Sequence, residues 1–534
     1  MNKYILAFII FLSIFLRFYK LSSTPPSLYW DEASLGYNAY SILKSANDEH
    51  GKFLPLTYFA AFGDYKPPGY IYAAVLPIAF FGPTEFAIRF PSAFFGVLTV
   101  IITYLLAKKL FENEIIALWS SFLLAISPWH LQFSRGAFEG NLGLFFSTLA
   151  IFLFIKFAKD KPIYAFPSAL FFLAGIYTFT GQRLFVPFIG LVLAFFFRRE
   201  IIKNYKYVFL VGIIALILFL PLYNFVTKTK EGQLRFNEVS IFKNLEPSNQ
   251  SIHYRQQDNF GWWSTIIHNR RLFYSQSYLI HYFDAFNPSF LFSKGDVNPR
   301  LSIQDNGELY YFEMPLLIAG AYFLVAKKQK YASLIFGWLL VSPLGPATAR
   351  ETPHALRMIH ILPTFQLISG FGIYHLAKST QKYAKFLKPT ALIIIFVSLF
   401  YYLHNYYVHW PIDYSGEWQY GYKQAVEYAQ TRYNQEDHII VTKNYGRPYI
   451  YFLLYMQVDP RQYLKSAQIV KDQFGFIDVK SFDKFTFAQP DEIQDKGRIL
   501  FITTPGSLPK DAQKLTSIEN LSGKTVFEIG EAVR

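Results

Sequence analysis

Long apolar segments alternate with short basic segments along most of this chain. A bilayer core about 30 Å thick is crossed by roughly 20 apolar residues in helical conformation. The segments that approach this length are 4–21, 91–110, 114–128, 138–158, 163–180, 183–198, 207–226, 313–326, 331–347, 356–377 and 388–407. This pattern predicts a polytopic α-helical membrane protein with about eleven transmembrane helices.

The first apolar segment follows Lys3, which is also the arrangement found in a signal peptide. The residues after it, Ser22–Leu28, offer no convincing small-residue cleavage site. We therefore expect this segment to stay in the membrane as an uncleaved anchor.

A further apolar stretch, Gly69–Gly82, determines the predicted orientation. Loops rich in Lys and Arg face the cytoplasm. If the N-terminus is cytoplasmic and this stretch does not cross the membrane, five basic clusters face the cytoplasm. They are Lys108/Lys109, Lys156/Lys159/Lys161, Arg198/Arg199/Lys203/Lys206, Lys327/Lys328/Lys330 and Lys378/Lys382/Lys385/Lys388. We therefore predict that 67–90 is an interfacial segment on the outer face. Its prolines are expected to limit long regular helix: Pro67, Pro68, Pro77 and Pro83.

Three polar regions then lie on the extracytoplasmic side of the cytoplasmic membrane. Residues 1–407 are predicted to form a transmembrane domain, with 22–90 as its first outer loop and 227–312 as its large outer loop. Residues 408–534 are long enough for a soluble α/β domain. Its predicted elements are an amphipathic helix at Glu417–Tyr433 and strands at His438–Thr442, Tyr449–Tyr455, Arg498–Thr504 and Thr525–Ile529.

Composition and charge agree with a membrane protein. Apolar residues make up 52% of the chain and charged residues 16%, against roughly 25% charged in soluble domains. The net charge is +14, but the basic residues punctuate apolar runs, so a nucleic-acid partner is not predicted. The absence of cysteine excludes a thiol nucleophile and a Cys-ligated metal. Neither a metal nor another cofactor is predicted, because the histidines show no ligand spacing and no phosphate-cradling glycine motif occurs.

The first candidate for chemistry is the sequence Tyr29-Trp30-Asp31-Glu32 after the first predicted span. A carboxylate partly shielded by aromatic side chains can act as a general base. Neighbouring helical residues point about 100° apart, so one acid can face a site while the other anchors the loop. The structural alternative is that both acids stabilise a helix N-terminus.

Cations also occur at predicted outer turns, where positive-inside bias should remove them. They are Lys66, Arg135, Arg183 and Arg357. Each one alone is explained by pairing or by snorkelling, but several cations on one face together suggest a pocket for a phosphate. The polar residues beside them are candidate substrate contacts: Asp64, Glu139, Tyr177, Gln182 and His354. Arg135 and Glu139 are four apart and are compatible with a helical pair.

The N-terminal 200 residues resemble the protein O-mannosyltransferases and the lipid A aminoarabinose transferases, which are membrane glycosyltransferases of the GT-C class. The resemblance rests on Asp31-Glu32, Lys66-Pro67-Pro68, Arg89-Phe90-Pro91-Ser92-Ala93 leading into Gly96-Val97-Leu98-Thr99-Val100, and Ser127-Pro128 followed by Ser134-Arg135 and Glu139. It implies a GT-C-like transmembrane catalytic domain that takes a sugar from a polyprenyl-phosphate donor. It further implies Asp31 as the base and Lys66 as a ligand of the donor phosphate.

Two positions depart from these families. Ala33-Ser34 follows the acidic pair where the aminoarabinose transferases have Arg-Tyr, and Glu139 stands where relatives commonly have Asp. The expected reaction transfers the sugar to a hydroxyl of a protein, glycan or lipid acceptor with inversion at the anomeric carbon. In this expected reaction Asp31 accepts the proton of the acceptor hydroxyl, and Glu32 orients Asp31 or the acceptor. Cations stabilise the leaving phosphate.

Other functions are compatible with the same pattern. A polysaccharide polymerase or ligase would also act outside on lipid-linked sugars. A lipid or solute transporter would place ionisable groups near the bilayer midplane, whereas the polar residues here gather at one face. A scaffold that displays 408–534 would need no catalytic group.

Overall fold

Helices dominate the chain, as the apolar segments predict. The computed structural model describes residues 2–471, 477–492 and 496–534. Each predicted spanning segment contains α-helix. Up to residue 228 the helices are α1 (Asn2–Phe18), α2 (Trp30–Ser45), α3 (Gly69–Phe81), α4 (Glu85–Phe111), α5 (Glu114–Ile126), α6 (Pro128–Arg135), α7 (Glu139–Lys159), α8 (Ala165–Ile176), α9 (Gln182–Phe196), α10 (Arg198–Lys203) and α11 (Tyr205–Lys228).

The remaining helices fall into three groups along the chain. A polar stretch holds α12 (Lys230–Val239), α13 (Glu246–Gln257), α14 (Ser264–Ile267) and α15 (Arg270–Asp284). A second apolar stretch holds α16 (Glu313–Ala326), α17 (Ala332–Val341), α18 (Ala355–Met358), α19 (Thr364–Ser379) and α20 (Ala384–His404). The C-terminal part holds α21 (Trp410–Asp413), α22 (Tyr422–Arg432), α23 (Pro448–Tyr455) and α24 (Pro460–Ser466).

Among the described residues, four helices are long and apolar enough to cross a bilayer: α4, α7, α11 and Lys385–Asp413. Two bent pairs raise the number to six if each is one span: α5 with α6, bent by 55°, and Ala355–Ile361 with Thr364–Ser379, bent by 52°. The shorter apolar helices are Gly69–Phe81, Pro162–Ile176, Gln182–Phe196, Glu313–Ala326 and Ala332–Thr348. The predicted number of spans therefore stays a prediction.

Long regular helix is limited in 67–90 at two of the expected places: α3 begins after Pro68 and ends before Pro83, with 13 residues. Pro77 does not limit it. Helix α3 continues through Pro77, and α4 begins at Glu85, ahead of the predicted start at residue 91, and continues through Pro91. A proline removes only one backbone donor from a helix, so a helix held by packing on both sides can continue past it.

The chain folds into two compact units, each built from separate stretches. Unit 1 contains Met1–Arg17, Phe94–Ser134 and Glu139–Tyr402, and unit 2 contains Phe18–Ala93, Arg135–Phe138 and Leu403–Arg534. The predicted division into 1–407 and 408–534 separates membrane-spanning residues from a soluble domain, whereas the two units are defined by compact packing. The predicted division stays a prediction.

Glycines let the helices of unit 1 approach closely. A Cβ atom at Gly320 of α16 would lie 2.1 Å from the carbonyl oxygen of Ile368 in α19. A Cβ atom at Gly372 of α19 would lie 2.4 Å from the carbonyl oxygen of Leu316. Such small residues are typical of helix contacts within membranes, where backbones pack without a hydrophobic driving force between helices.

Unit 2 contains a two-stranded sheet of β1 (Phe59–Ala61) and β2 (Asp64–Lys66). It also contains a seven-stranded sheet of order β4-β5-β6-β3-β7-β9-β8. These strands are β3 (His438–Val441), β4 (Gln468–Lys471), β5 (Ile477–Phe482), β6 (Phe485–Phe487), β7 (Arg498–Thr503), β8 (Gln513–Glu519) and β9 (Thr525–Val533). Strand β3 is parallel to β6 and β7, and the other pairs are antiparallel.

The elements of the C-terminal part match the sequence prediction only in places. Strands form where the runs at residues 438, 498 and 525 predict them. The predicted strand at Tyr449–Tyr455 is wrong, because these residues belong to helix α23. The helix expected over Glu417–Tyr433 covers only Tyr422–Arg432. Strands β4, β5, β6 and β8 were not predicted.

Candidate active site

Asp31 lies in the first turn of α2. The Tyr29 hydroxyl, just before the helix, donates a 2.7 Å hydrogen bond to Asp31 Oδ2. The Trp30 amide, which opens the helix, donates to Gln419 Oε1 at 3.0 Å. Gln419 in turn donates to the Tyr445 carbonyl and accepts from the Tyr451 hydroxyl. The N-terminal end of α2 is therefore held by side chains of the C-terminal part of the chain.

Glu32, the next residue, is enclosed. Its carboxylate accepts two 3.0 Å hydrogen bonds from the Arg89 guanidinium, and both side chains have 0% exposure. It also accepts from the amides of Tyr29 at 3.3 Å and Ala137 at 2.7 Å. The Arg89 guanidinium also donates hydrogen bonds to the carbonyls of Leu21, Pro25 and Ser27. Glu32 is thus a positioning residue that fixes the start of α2.

The β1–β2 hairpin presents Asp64 and Lys66. Ala61 pairs with Asp64, so Phe62 and Gly63 form a two-residue turn. Both have positive φ, 57° and 94°, as a type I′ hairpin turn requires. Phe62 is unusual there, since it carries a Cβ atom. Its ring packs against Tyr449 at a centroid distance of 5.7 Å.

Asp31, Asp64 and Lys66 meet in one cluster. Lys66 Nζ lies 3.1 Å from Asp31 Oδ1 and 3.3 Å from Asp64 Oδ2. The Asp31 side chain is 23% exposed, so it is open to a ligand in a way that Glu32 is not. Two carboxylates and one ammonium give the cluster a net charge of −1, which suits proton removal from a hydroxyl. Binding a phosphate here would need further positive charge.

A cation missed by the sequence reasoning borders this cluster. Arg447 places its guanidinium carbon 5.8 Å from the centroid of the Phe62 ring, over the turn that precedes Asp64. The preceding Gly446 lies against Trp30, because a Cβ atom at Gly446 would be 2.8 Å from that indole ring. Arg447 could have been found from its position in the sequence. The 442–447 loop follows the carboxyl end of the parallel strand β3, where binding residues of α/β sheets often lie.

Arg135, predicted to bind the donor phosphate, is buried in unit 2 with 1% exposure. It donates to the carbonyls of Tyr19 at 2.8 Å and Thr24 at 3.0 Å. Its guanidinium also lies over the rings of Tyr406 and Tyr407. These contacts hold the Arg135 side chain within unit 2, and its role at a donor phosphate stays a prediction. Arg135 ends α6 and Glu139 begins α7, so the two residues do not lie on one helix as expected.

Unit 1 brings the other predicted segments together around the start of α7. Glu139 is the first residue of α7, and a Cβ atom at Gly140 would lie 2.6 Å from Leu356 and 3.6 Å from Phe179. The segments that carry Arg357 and Arg183 therefore meet beside Glu139. Their role at a donor phosphate stays a prediction.

Two candidate substrate contacts in unit 1 also bond to neighbouring helices, and their role with substrate stays a prediction. The Tyr177 hydroxyl donates to the Leu218 carbonyl at 2.8 Å. Gln182 is fully buried at the start of α9, where its amide nitrogen lies 3.4 Å from the Ser147 hydroxyl. Both contacts tie neighbouring helices together.

The segment with His354 and Arg357 is organised by Asp296. His354 Nδ1 accepts from the Arg357 amide at 3.4 Å and lies 4.0 Å from Asp296 Oδ2. Asp296 Oδ2 also accepts from the Ala355 amide at 2.6 Å. Burial raises the pKa of Asp296. Arg357 itself is partly exposed and donates to the Glu351 carbonyl at 3.1 Å.

Within the described part of the chain, no group of three or more His, Asp or Glu side chains is arranged to hold a metal ion. The expectation that the reaction needs no metal stays a prediction.

The fold defines the class: it is the fold of the GT-C membrane glycosyltransferases. Residues 7–182 match the family of dolichyl-phosphate-mannose-protein mannosyltransferases. The resemblance to protein O-mannosyltransferases and aminoarabinose transferases is therefore confirmed. The matched region includes Asp31, Lys66 and Arg89.

Individual relatives are distant. ArnT from Cupriavidus metallidurans in the apo state has a TM-score of 0.57 at 12% identity, over 98% of this chain and 97% of that one. The same protein bound to undecaprenyl phosphate has a TM-score of 0.56 at 10% identity, over 98% and 97% of the two chains. The archaeal oligosaccharyltransferase AglB from Archaeoglobus fulgidus, in complex with an inhibitory peptide and a dolichol-phosphate, has a TM-score of 0.51 at 13% identity, over 85% of this chain and 63% of that one.

By sequence, an uncharacterized protein of Aquifex aeolicus is 28% identical over 280 residues. The match covers 52% of this chain and 52% of that relative.

Proposed function

We propose that this protein is a glycosyltransferase that moves a sugar from a polyprenyl-phosphate donor to a hydroxyl acceptor at the outer face of the cytoplasmic membrane. The observation that carries the proposal is the cluster in which Asp31, still open to a ligand, is held by Tyr29 and Lys66. The ArnT structure with undecaprenyl phosphate and the AglB structure with dolichol-phosphate support a lipid-phosphate donor.

Asp31 acts as the general base. It accepts the proton of the acceptor hydroxyl while the hydroxyl oxygen bonds to the anomeric carbon. The bond from that carbon to the phosphate oxygen breaks on the opposite side, so the configuration inverts. The polyprenyl phosphate leaves with the electron pair. The Tyr29 hydroxyl fixes one oxygen of Asp31, and the Glu32–Arg89 pair fixes the helix turn that carries it.

Lys66 changes partners when the donor binds. Without donor its ammonium group bridges Asp31 and Asp64. A donor phosphate draws the ammonium away and leaves Asp31 free to take a proton, so that donor binding switches on the base. Because the cluster is net negative, Arg447 supplies part of the positive charge that the phosphate needs.

The test measures transfer with purified protein in nanodiscs. Candidate polyprenyl-phosphate sugars are supplied with protein, glycan and lipid acceptors, and products are identified by mass spectrometry. Asp31→Asn keeps the shape and the hydrogen bond from Tyr29 but removes the base, so transfer should fall by about 10²–10⁴-fold, the range of general-base catalysis.

Asp305→Asn, which changes an exposed carboxylate in a loop of unit 1, is the matched control and should transfer at the original rate. An Asp31→Asn protein that turns over normally would rule out the mechanism. Repeated addition of sugars to one chain would identify a polymerase. Unchanged rates in EDTA would support transfer without a metal.

A further inference from the structure

Residues 245–286 in unit 1 form a helical hairpin that the proposed reaction does not use. Its two arms, α13 and α15, are joined by stacked rings. Tyr254 lies over His268 at a centroid distance of 5.1 Å and over Phe273 at 5.9 Å, with an interplanar angle of 12° to Phe273. His268 is also paired with Asp258 at 3.2 Å. The hairpin is thus internally ordered.

Tyrosines four residues apart attach α15 to the rest of unit 1. The hydroxyl of Tyr274 donates to the Asn244 carbonyl, that of Tyr278 to the Leu344 carbonyl, and that of Tyr282 to the Leu340 carbonyl. Leu340 lies near the end of α17, an apolar helix of the predicted membrane region, and its own side chain is 51% exposed. The side of α15 that carries these tyrosines therefore faces the protein.

Another side of α15 carries apolar residues that unit 1 does not cover. Leu272, Leu279 and Phe283 recur at helical spacing, with Ile280 beside them, and each side chain is more than half exposed. They line an open groove of about 880 Å³ together with Phe286 and Pro288, and the polar residues along the groove are Ser275, Gln276, Asp284 and Asn287. Helix α15 has no buried residue.

The turn that joins the two arms is also apolar and exposed. Trp262 is 79% exposed, and Trp263, Ile266 and Ile267 are exposed as well. Tryptophan is enriched at the level of lipid headgroups, because its ring is apolar and its N–H is polar. Exposed Arg270 and Arg271 open α15 next to this turn, where they suit the phosphates of lipid headgroups.

We infer that this hairpin is a membrane-interface anchor: the apolar face of α15 lies among lipid acyl chains, and the tryptophan turn lies at the headgroups of the same leaflet. Two observations favour a bilayer over a protein partner. Tyr282 of α15 bonds to α17, an apolar helix of the predicted membrane region, beside the exposed side chain of Leu340. Exposed tryptophans and the cations Arg270 and Arg271 lie at the N-terminal end of α15, which is the combination of residues that suits lipid headgroups.

The chain contains no cysteine, so single cysteines can be introduced and labelled with a nitroxide without background. We would place them at Leu279→Cys and Phe283→Cys in the full chain, reconstituted in nanodiscs that contain anionic lipid. Leu216→Cys, on an exposed position of α11, is the lipid control, and Ser522→Cys, in the exposed turn between β8 and β9, is the water control.

Spin-label collision rates then report the surroundings. At residues 279 and 283, collisions with oxygen should be frequent. Collisions with a polar nickel complex should be several-fold rarer than at residue 522 and about as rare as at residue 216. Rates like those at residue 522 would overturn the anchor. Immobilised labels shielded from both reagents would also overturn it, because they would show a second protein surface. Neither readout depends on sugar transfer, so the proposed function is tested separately.

Discussion

Asp31 and Glu32 are neighbours with opposite surroundings. Asp31 is partly exposed beside a lysine, whereas Glu32 is fully buried and shares both carboxylate oxygens with Arg89. A buried ion pair is costly to break, because the remaining charge has neither water nor a partner. Glu32 is therefore held as part of the fold, whereas Asp31 stays accessible for the role that we propose for it.

Glu32→Gln should therefore destabilise the protein more than it affects the chemistry. The change leaves the buried Arg89 without its counter-charge, and the expected loss of unfolding free energy is about 3–5 kcal/mol. Denaturant unfolding of the reconstituted protein measures this loss. Glu519→Gln, at an exposed position of β8, is the control and should change stability little. An unchanged stability of Glu32→Gln would contradict the positioning role.

At the scale of residues, the sequence predicted the members of the acidic cluster better than the contacts of the cations around it. Asp31 and Lys66 were recognised through resemblance, and Asp64 was noted beside Lys66. Arg135 was assigned to the donor phosphate because arginine at an outer turn suggests an anion site, yet carbonyls and tyrosine rings surround it. Burial depends on tertiary packing, which residue type and spacing do not reveal.

At the scale of elements, one glutamine joins α2 to the C-terminal part of the chain, in addition to the contacts of Glu32. The Gln419 side chain accepts from the Trp30 amide and donates to the Tyr445 carbonyl, so it connects the first turn of α2 with the loop after β3. The same loop carries Gly446 and Arg447 against Trp30 and Phe62. A change in Gln419 is therefore transmitted to both sides of the acidic cluster.

Gln419→Leu should reduce kcat by displacing Asp31, with a smaller effect on the KM for the donor. It leaves the Trp30 amide without an acceptor, which costs about 1–3 kcal/mol of stability when the group is buried. Gln419→Glu keeps an acceptor for that amide and should recover part of kcat. Steady-state kinetics of both variants check this. A Gln419→Leu enzyme with normal kcat would show that α2 is held without this contact.

The one wrong strand shows where local pattern fails. Tyr449–Tyr455 is a short run of aromatic and aliphatic residues, which suits a buried strand as well as a buried helix. In the structure residues 449–454 are all buried, so no periodicity marks the helix. Pro448 in the first helical turn could have indicated a helix, because proline is favoured at that position.

At the scale of the whole molecule, unit 2 combines N-terminal and C-terminal residues in one fold. The helix with Asp31, the hairpin with Lys66 and the loop with Arg447 come from opposite ends of the sequence. The sequence pattern identified long helices and a C-terminal α/β region. It could not show this combination, because contacts between distant stretches leave no local periodicity.

Arg447→Ala tests the contribution of the C-terminal residues to donor binding. A charge-assisted hydrogen bond contributes about 1.5–3 kcal/mol, so the KM for the donor should rise about tenfold or more, while kcat changes less. Arg447→Lys should restore part of the affinity. Arg498→Ala, on β7, is the matched control. Unchanged donor KM in Arg447→Ala would exclude this residue from the phosphate site.

The hydrogen bond between Trp30 and Gln419 joins residues 389 positions apart in the sequence. During translation the segment with Trp30 and Asp31 emerges early, and Gln419 emerges only after the helix Lys385–Asp413. A polypeptide that stops before residue 419 therefore has to form the first turn of α2 without this contact.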